Sequence, residues 1–188
     1  MADRSSRALL FLLAPLMLLP AASRAGEIPV TVDAALIPSY RVIEPGVATA
    51  GQPAPEALRK LKEMGFRTVV NLRTEKEGAA EERPVVEAQG LRYVSVPVTL
   101  ETLSLADIEA VEKVLADAGS RPVLLHCASS NRVGGVWAAI QVRKGKSLEQ
   151  AEAAGRDAGL RSPAVQMAVR RVLGVPAPDA AAAPAVKP

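Results

Sequence analysis

The segment from Pro122 to Cys127, with the sequence PVLLHC, is an almost uninterrupted apolar run in the second half of the chain. A short run without alternation of polar and apolar residues is typical of a strand that is buried on both faces of a parallel sheet. Parallel strands need crossover connections, which helices usually supply. The run therefore predicts the central strand of an α/β domain.

Short β-rich runs alternate with helical patterns on both sides of this strand. Strands are predicted at YRVI, VATA, RTVVNLR and LRYVSVPV, and helices at PEALRKLKEMG, EERPVVEAQG and SLADIEAVEKVLADAG. Three helical segments follow the central strand, with Ser147 and Ser162 as N-caps of the last two. The alternation predicts an α/β fold in which helices flank a central, mostly parallel sheet. We predict one domain over residues 26–174, because no repeat or linker divides the pattern.

The first 25 residues differ in composition from the rest of the chain. Arg4 and Arg7 precede the apolar run ALLFLLAPLMLL, and a site of small residues ends at Ala25. The pattern is typical of a secretory signal peptide. The run is shorter than the ~20 residues of a membrane-spanning helix, and Pro15 interrupts it. We predict a signal peptide over residues 1–25, export to the periplasm or the medium, and no stable membrane anchor after cleavage.

At the other end, residues 175–188 form the Pro/Ala-rich segment VPAPDAAAAPAVKP. This segment has few large apolar side chains to bury, so it is predicted to be disordered.

The charge of the mature chain argues against a nucleic-acid partner. Cleavage after Ala25 removes three of the 23 basic and one of the 20 acidic residues, which lowers the net charge from +3 to about +1.

The single His and single Cys cannot supply a usual zinc ligand set, so no metal or other cofactor is predicted. The cysteine has no internal disulfide partner in a compartment that favours disulfides. It is therefore predicted to be a reactive thiol or a small buried side chain.

The loop that follows the central strand carries the residues most suggestive of chemistry. Cys127 begins this loop and Arg132 ends it, directly before a helical segment. Backbone N–H groups of a tight loop, together with a helix N-terminus, form an anion site that also stabilises a thiolate. An arginine adds a planar fork that binds an oxyanion through two hydrogen bonds. Four small or polar residues lie between the two, namely Ala128, Ser129, Ser130 and Asn131.

This stretch resembles the signature loop of cysteine-dependent protein tyrosine and dual-specificity phosphatases, in which His-Cys opens a phosphate-binding loop that Arg closes. The upstream segment YRVIEPGVATAGQPAPEALRKLKEMGFRTVVNLR is similar to the bacterial beta-lactamase-hydrolase-like, phosphatase-like domain family. The likeness runs from Tyr40 to Gly159, and GQP, NLR and HC…NR occur in the family's order. The resemblance implies a protein tyrosine/dual-specificity phosphatase fold, with Cys127 as nucleophile, Arg132 as phosphate clamp and His126 as a support of the loop.

Three features depart from the phosphatase pattern. Four residues, rather than five, separate Cys127 from Arg132, a length that resembles the persulfide loop of rhodanese-type sulfurtransferases. Val133 stands where the pattern has a Ser or Thr that helps the thiolate to leave. No general-acid aspartate is evident, because Asp107 fits a helix cap with Ser104, which leaves Glu101 as the candidate acid. Without a general acid, the reaction rate typically falls by a factor of ~10²–10⁴.

Substrate contacts are predicted from the loop residues between Cys127 and Arg132 and from Val133. Arg73 ends a strand at the same predicted sheet edge, so it either adds a second positive charge to the site or pairs with Glu75 or Glu77. The predicted function is an exported, cysteine-dependent phosphatase-like hydrolase acting on phosphotyrosine or aryl phosphate monoesters. Its predicted partner is a phosphorylated protein or a small-molecule phosphate. A rhodanese-like sulfurtransferase and a non-catalytic oxyanion-binding module remain as alternatives.

Overall fold

The computed structural model describes residues 28–29 and 31–176. Its strands are β1 (Arg41–Glu44), β2 (Val47–Ala50), β3 (Thr68–Asn71), β4 (Arg92–Ser95) and β5 (Val123–His126). They form one sheet with the order β1-β2-β5-β3-β4. β1 is antiparallel to β2, and all other neighbouring strands are parallel. The mostly parallel sheet with the apolar strand β5 in its middle confirms the predicted fold class.

Six α-helices surround the sheet in the described part of the chain. They are α1 (Pro55–Leu58), α2 (Ala79–Glu87), α3 (Leu105–Ala116), α4 (Asn131–Arg143), α5 (Leu148–Asp157) and α6 (Pro163–Val172). Two short 3-10 helices span Glu75–Glu77 and Ala118–Ser120. The predicted N-caps Ser104, Ser147 and Ser162 each accept a hydrogen bond from a backbone N–H of the first helical turn.

Helix α1 is shorter than the predicted helix over PEALRKLKEMG. In a continuous helix, the Lys62 amide would donate to the Leu58 carbonyl. Instead, the Gln89 side chain binds both groups: its Nε2 donates to the Leu58 carbonyl at 2.6 Å, and its Oε1 accepts from the Lys62 amide at 3.2 Å. A side chain inserted into the ladder in this way ends a regular helix. The segment therefore continues in turns as far as Gly65, whose φ is +91°.

The sheet is covered on both faces, as the alternation of strands and helices predicts. Successive residues of β5 point to opposite faces, so Leu124 and Leu125 belong to different cores. On the face of Leu124, the core includes Leu61, Phe66, Val69 and Val86. On the face of Leu125, the core includes Val70, Ile108, Val111, Val136 and Ile140. The smaller layer thus consists of α1 and α2, and the larger layer of α3 to α6.

Three parallel strands end together at one edge of the sheet. His126, the last residue of β5, is in register with both Ala50 of β2 and Asn71 of β3. The segments that follow these strands, from Gly51, Leu72 and Cys127, therefore start side by side. This edge is where sites form in open α/β sheets.

The described residues include no helix with the length and hydropathy needed to span a bilayer. The predicted signal peptide over residues 1–25 lies outside the described residues, as does the predicted tail beyond Pro176. Both remain predictions.

Candidate active site

Cys127 lies at the carboxyl end of β5, directly under the loop that leads into α4. Its amide donates to the Ala50 carbonyl at 3.4 Å, and the Gln52 amide donates to the Ala128 carbonyl at 3.1 Å. The loop is thus tied to the GQP segment that follows β2. The Cys127 side chain is fully buried and belongs to the core on the α3–α6 side of the sheet.

The chain turns sharply between Cys127 and the start of α4. Ser130 has a φ of +63°, a left-handed conformation that serine seldom adopts. Gly159 lies against it so closely that a Cβ there would be 2.4 Å from the Ser130 Oγ. Only glycine therefore fits at position 159, and its own φ of +117° requires glycine as well.

The first turn of α4 leaves backbone N–H groups available at this edge. The first intrahelical bond runs from the Gly134 amide to the Ser130 carbonyl at 2.9 Å. The amides of Asn131, Arg132 and Val133 therefore have no partner within the helix. They lie where the partial positive charge of the helix N-terminus favours an anion.

Arg132 is held on one side by Glu77. Its Nη1 donates to Glu77 Oε2 at 2.9 Å, and its Nη2 donates to Oε1 at 2.5 Å. The Nη1 also donates to the carbonyls of Val98 at 2.8 Å and Leu72 at 3.3 Å. Burial lowers the pKa of Arg132, but the hydrogen bond to Glu77 and the contact with Cys127 outweigh it and raise the pKa. Arg132 is therefore charged, and Cys127 lies close enough to contribute to this shift.

Glu77 is itself fixed at the end of a 3-10 helix. Its Oε2 accepts from the Thr74 amide at 2.9 Å and from the Thr74 hydroxyl at 3.0 Å, as in a capping box. The hydrogen bond from Arg132 is the main cause that lowers the pKa of Glu77 to about 2. This carboxylate is therefore ionised at neutral pH.

His126 has a buried acidic partner. Its Nε2 lies 2.7 Å from Glu82 Oε1, and both side chains are inaccessible to solvent or nearly so. Burial raises the pKa of Glu82, but the hydrogen bond with His126, together with the contacts of Gln52 and Arg73, outweighs it, so the pKa is lowered. An ionised carboxylate only accepts hydrogen bonds, so His126 carries a proton on Nε2. Within the described residues, the His126 Nδ1 has no hydrogen-bond partner.

Arg73 and Gln52 complete the group around Glu82. Arg73 Nη1 donates to Gln52 Oε1 at 2.5 Å and to Glu82 Oε2 at 3.3 Å, and Gln52 Nε2 donates to Glu82 Oε2 at 3.0 Å. The expected pairing of Arg73 with Glu75 or Glu77 is wrong, because Glu82 is its ionic partner. Arg73 lines a cavity of about 280 Å³ next to α1 and α2, whereas Arg132 lines a different one.

The cavity above the loop has a volume of about 420 Å³. Five predicted or newly identified site residues line it: Glu77, Glu101, Ser129, Asn131 and Arg132. Its far wall is formed by the segment between α5 and α6, which Asn131 holds through bonds of 2.7 Å from the amides of Arg161 and Ser162 to its Oδ1. The cavity thus brings Ser129, Asn131 and Arg132 to one surface, whereas the other loop residues, Cys127, Ala128 and Ser130, do not line it.

Glu101 reaches the cavity from the opposite side. Hydrogen bonding to Thr99 lowers the pKa of Glu101, which is exposed to solvent. A lowered pKa favours the ionised form, and this form has no proton to donate to a leaving group. Asp107 caps α3, as predicted, by accepting hydrogen bonds from the amide and the hydroxyl of Ser104 at 2.9 and 2.7 Å.

The expected substrate contact from Val133 is wrong for its side chain. Val133 is fully buried in the core on the α3–α6 side of the sheet. It is the third residue of α4, and its side chain packs in this core. Only its amide remains for a ligand.

Residues 42–169 match the profile of the family described as DSP-PTPase phosphatase fused to NAD+ kinase. The chain belongs to this family. The match covers more than half of the sequence and includes Cys127, Arg132 and both carboxylates that hold the loop.

Curated relatives support the resemblance to beta-lactamase-hydrolase-like proteins. The chain is 30% identical over 119 residues to the beta-lactamase hydrolase-like protein of Xylella fastidiosa strain Temecula1, a match that covers 60% of this chain and 27% of that protein. The Agrobacterium fabrum protein of the same name is 33% identical over 88 residues, covering 44% and 20% of the two chains. The chain thus spans about a quarter of the length of the first of these relatives. The predicted family resemblance is confirmed.

Solved structures of phosphatases share the fold. Pseudomonas aeruginosa TpbA superposes with a TM-score of 0.60 at 20% identity, covering 82% of this chain and 92% of TpbA. A protein from Shewanella putrefaciens described as a DUF442 phosphatase gives a TM-score of 0.59 at 21% identity, covering 75% and 95%. Because these identities are low, the likeness establishes only the fold of the chain.

Glu77 and Glu82 were not predicted as site residues, although each leaves a local signal in the sequence. Thr74 and Glu77 have the spacing of a capping box, which marks them as an ordered turn. Glu82 lies between Ala79 and Val86 on the buried face of α2, where an unpaired charge is not tolerated. An acidic residue on an apolar helical face indicates a buried partner, but it does not identify His126.

Proposed function

We propose that the protein is an exported, cysteine-dependent phosphatase that hydrolyses phosphate monoesters, preferably of the aryl type, through a phosphocysteine. The observation that carries the proposal is the arrangement around Arg132. A charged guanidinium that lines the cavity lies near Cys127 and beside the unpaired amides at the start of α4. Together these groups can bind the three non-bridging oxygens of a phosphate.

The chemistry would proceed in two steps. The Cys127 thiolate attacks phosphorus, an S–P bond forms, and the P–O bond to the leaving group breaks. Water then attacks the phosphocysteine, inorganic phosphate leaves, and the thiolate is regenerated. The loop amides and Arg132 stabilise the charge on the oxygens in both steps. The Cys127 side chain is fully buried and does not line the cavity, so this chemistry requires the loop to move enough for a phosphate to reach the sulfur.

The preference for aryl phosphates follows from the missing acid. An aryl oxide is a good leaving group that needs little protonation, whereas an alkoxide needs a proton. Glu77 and Glu101 are the carboxylates that line the cavity, but the hydrogen bond from Arg132 lowers the pKa of Glu77 and the one from Thr99 lowers that of Glu101. TpbA has been solved in complex with phosphotyrosine, which supports phosphotyrosine in a protein or a small aryl phosphate as the substrate.

The main alternative is sulfur transfer through a persulfide on Cys127. It is favoured by the four-residue spacing between Cys127 and Arg132, which provides one fewer amide than a five-residue phosphatase loop. A non-catalytic oxyanion-binding module is the other alternative, favoured by the apolar Val133.

One comparison separates the three functions. The kcat/KM for p-nitrophenyl phosphate is measured beside the rate of thiosulfate-to-cyanide sulfur transfer, with Cys127→Ser as the blank. We expect aryl phosphate turnover that Cys127→Ser abolishes. Cys127-dependent sulfur transfer without phosphate turnover would support the persulfide function. Loss of both activities with retained phosphate binding would support the binding module.

A second comparison tests Glu101. If it supplies a proton, Glu101→Gln lowers kcat/KM for phosphoserine by ~10²-fold or more and lowers that for p-nitrophenyl phosphate much less. Equal changes for both substrates would exclude Glu101 as the acid.

Export forms the last part of the proposal. It is supported by the basic start, the apolar run and the small residues that end at Ala25. Mass spectrometry of the protein from its native host should find an amino terminus at or near Gly26. An intact Met1 in a cytosolic fraction would contradict export.

A further inference from the structure

Arg73 is a positive charge that the proposed chemistry does not use. It lines the cavity of about 280 Å³ next to α1 and α2, whereas Arg132 lines the cavity above the loop. Arg73 Nη1 donates to Gln52 Oε1 and to Glu82 Oε2. Among the described residues, its Nη2 and Nε atoms have no acceptor within hydrogen-bonding geometry. The N–H groups on these two atoms are therefore free to bind another molecule.

The free N–H groups of Arg73 lie beside the cavity. A Cβ added to Gly78, which lines the same cavity, would be 3.1 Å from Arg73 Nη2. The described residues have only two fully enclosed side-chain polar atoms without a partner, Thr49 Oγ1 and His126 Nδ1. The unpaired N–H groups of Arg73 are thus accessible to a ligand, although only 13% of its side chain is exposed.

Apolar side chains form a second part of the cavity wall. A cavity of ~150 Å³ is large enough for benzene, so a volume of about 280 Å³ accommodates one ring and a polar substituent. An apolar cavity with a few polar groups that fix orientation is the usual form of a small-molecule site. The apolar residues that line this one are Pro53, Pro55, Leu58 and Val85.

The donors of Arg73 determine which polar substituent fits. Its Nε–Nη2 edge presents two parallel N–H groups, which match the two oxygens of a carboxylate. Glu82 meets only Nη1 and divides its charge between Arg73 and two other donors. A carboxylate on the free edge would therefore make charge-assisted hydrogen bonds.

The other charged groups at the cavity limit the charge of the ligand. Arg59 and Glu81 are both exposed and line the cavity together with Arg73 and Glu82. Two arginines thus face two glutamates. Because the carboxylates repel negative charge, a dianion such as phosphate fits less well than a monoanion that meets Arg73 directly.

We propose that this cavity is a second binding site, which takes a small monocarboxylate with an aromatic or aliphatic body. The carboxylate binds the Nε–Nη2 edge of Arg73, and the body packs against Leu58 and Val85. The proposal does not depend on the chemistry at Cys127.

The experiment titrates the purified protein with 4-fluorobenzoate and follows binding by ¹⁹F NMR. The neutral 4-fluorobenzamide has nearly the same shape and serves as the comparison ligand. We expect 4-fluorobenzoate to bind about tenfold or more tightly than 4-fluorobenzamide, since hydrogen bonds between charged groups are worth this much in affinity. Inorganic phosphate should not displace it.

Two variants change the two parts of the site separately. Arg73→Lys keeps the charge but removes the planar pair of donors, and Val85→Phe fills the space for the ring without changing any charge. Each should weaken binding of 4-fluorobenzoate by about tenfold or more. Arg83→Lys is the matched control, because Arg83 is an exposed arginine of α2 that does not line the cavity, and it should bind like the wild type.

The outcomes distinguish this site from the loop at Cys127. Binding that phosphate displaces, and that Arg132→Ala abolishes but Arg73→Lys leaves unchanged, would place the carboxylate at the loop and overturn the proposal. Equal affinities for 4-fluorobenzoate and 4-fluorobenzamide, or no saturable binding of either, would overturn it as well. Circular dichroism confirms folding of each variant. If Arg73→Lys proves unfolded, the comparison of Val85→Phe with Arg83→Lys decides.

Discussion

Glu77 and Glu82 lie five residues apart, and each holds one side chain of the segment HCASSNR, but their surroundings differ. Glu77 binds Arg132 with 33% of its side chain exposed, whereas Glu82 binds His126 with 2% exposed. Glu77 has one ionic partner at the rim of a cavity. Glu82 has a histidine, an arginine and a glutamine around it, all beneath the sheet edge.

The difference in exposure predicts different consequences when each carboxylate is removed. A buried charge must keep its partners, because water cannot replace them. A carboxylate at a cavity rim can lose its partner at little cost, since water solvates both charges. We therefore expect substitutions of Glu82 to act mainly on the free energy of unfolding and substitutions of Glu77 mainly on anion binding.

Glu82→Ala should produce the largest loss of stability. It removes the acceptor of the buried His126 and the ionic partner of Arg73. Breaking a buried pair by removing one member typically costs about 3–5 kcal/mol. Equilibrium urea unfolding measures this loss, with Glu81→Ala as the control, because Glu81 is the exposed neighbour on the same helix. Equal unfolding free energies for the two variants would show that the buried network does not stabilise the fold.

Gln52→Ala should have a smaller effect on the same network. Gln52 donates to Glu82 at 3.0 Å and accepts from Arg73 at 2.5 Å, and both of these partners still contact each other without it. Loss of one partner of a buried polar group costs about 1–3 kcal/mol. Urea unfolding should place this variant between the wild type and Glu82→Ala. A loss as large as that of Glu82→Ala would mean that Gln52, rather than the ion pair, holds the network together.

The sequence predicted those parts of the fold and the site that are formed by residues close together in the chain. Cys127, the small loop and Arg132 are contiguous, and strand β5 before them is marked by its apolar composition. The capped starts of α3, α5 and α6 also depend on residues three positions apart. Local patterns of this kind determine local geometry, so strand β5 and the three caps are confirmed by the structure. The roles of Cys127 and Arg132 in the site remain predictions.

The sequence did not predict contacts that join distant segments. Glu82 and His126 are 44 positions apart, and Glu77 and Arg132 are 55 apart. Which acid meets which base depends on the order of β2, β5 and β3 in the sheet. The early end of α1 has the same origin, because the interrupting Gln89 side chain comes from 27 residues beyond Lys62. No periodicity encodes such pairings.

The pH dependence of stability tests the same difference between Glu77 and Glu82, and we expect an effect of intermediate size. The pKa of Glu82 lies below its ordinary value of 4.5 in the folded protein. A lowered folded pKa means that the unfolded chain binds more protons, so stability is present above about pH 4.5 and is lost as the pH falls. Removing the ionisable group removes this loss. Glu82→Gln should therefore show a shallower fall in unfolding free energy than the wild type when urea unfolding is repeated below pH 4.5. An unchanged slope would mean that Glu82 is protonated in the folded state.

Glu77→Ala should have the smallest effect on stability, although its carboxyl has a pKa of about 2. The pair with Arg132 is partly exposed, and Arg132 keeps its bonds to the carbonyls of Val98 and Leu72 when the carboxylate is removed. Ion pairs open to solvent contribute up to about 1 kcal/mol. Urea unfolding at neutral pH should thus find at most this loss. A loss that approaches that of Glu82→Ala would show that Glu77 is needed for the fold itself, and the division of roles between the two carboxylates would not hold.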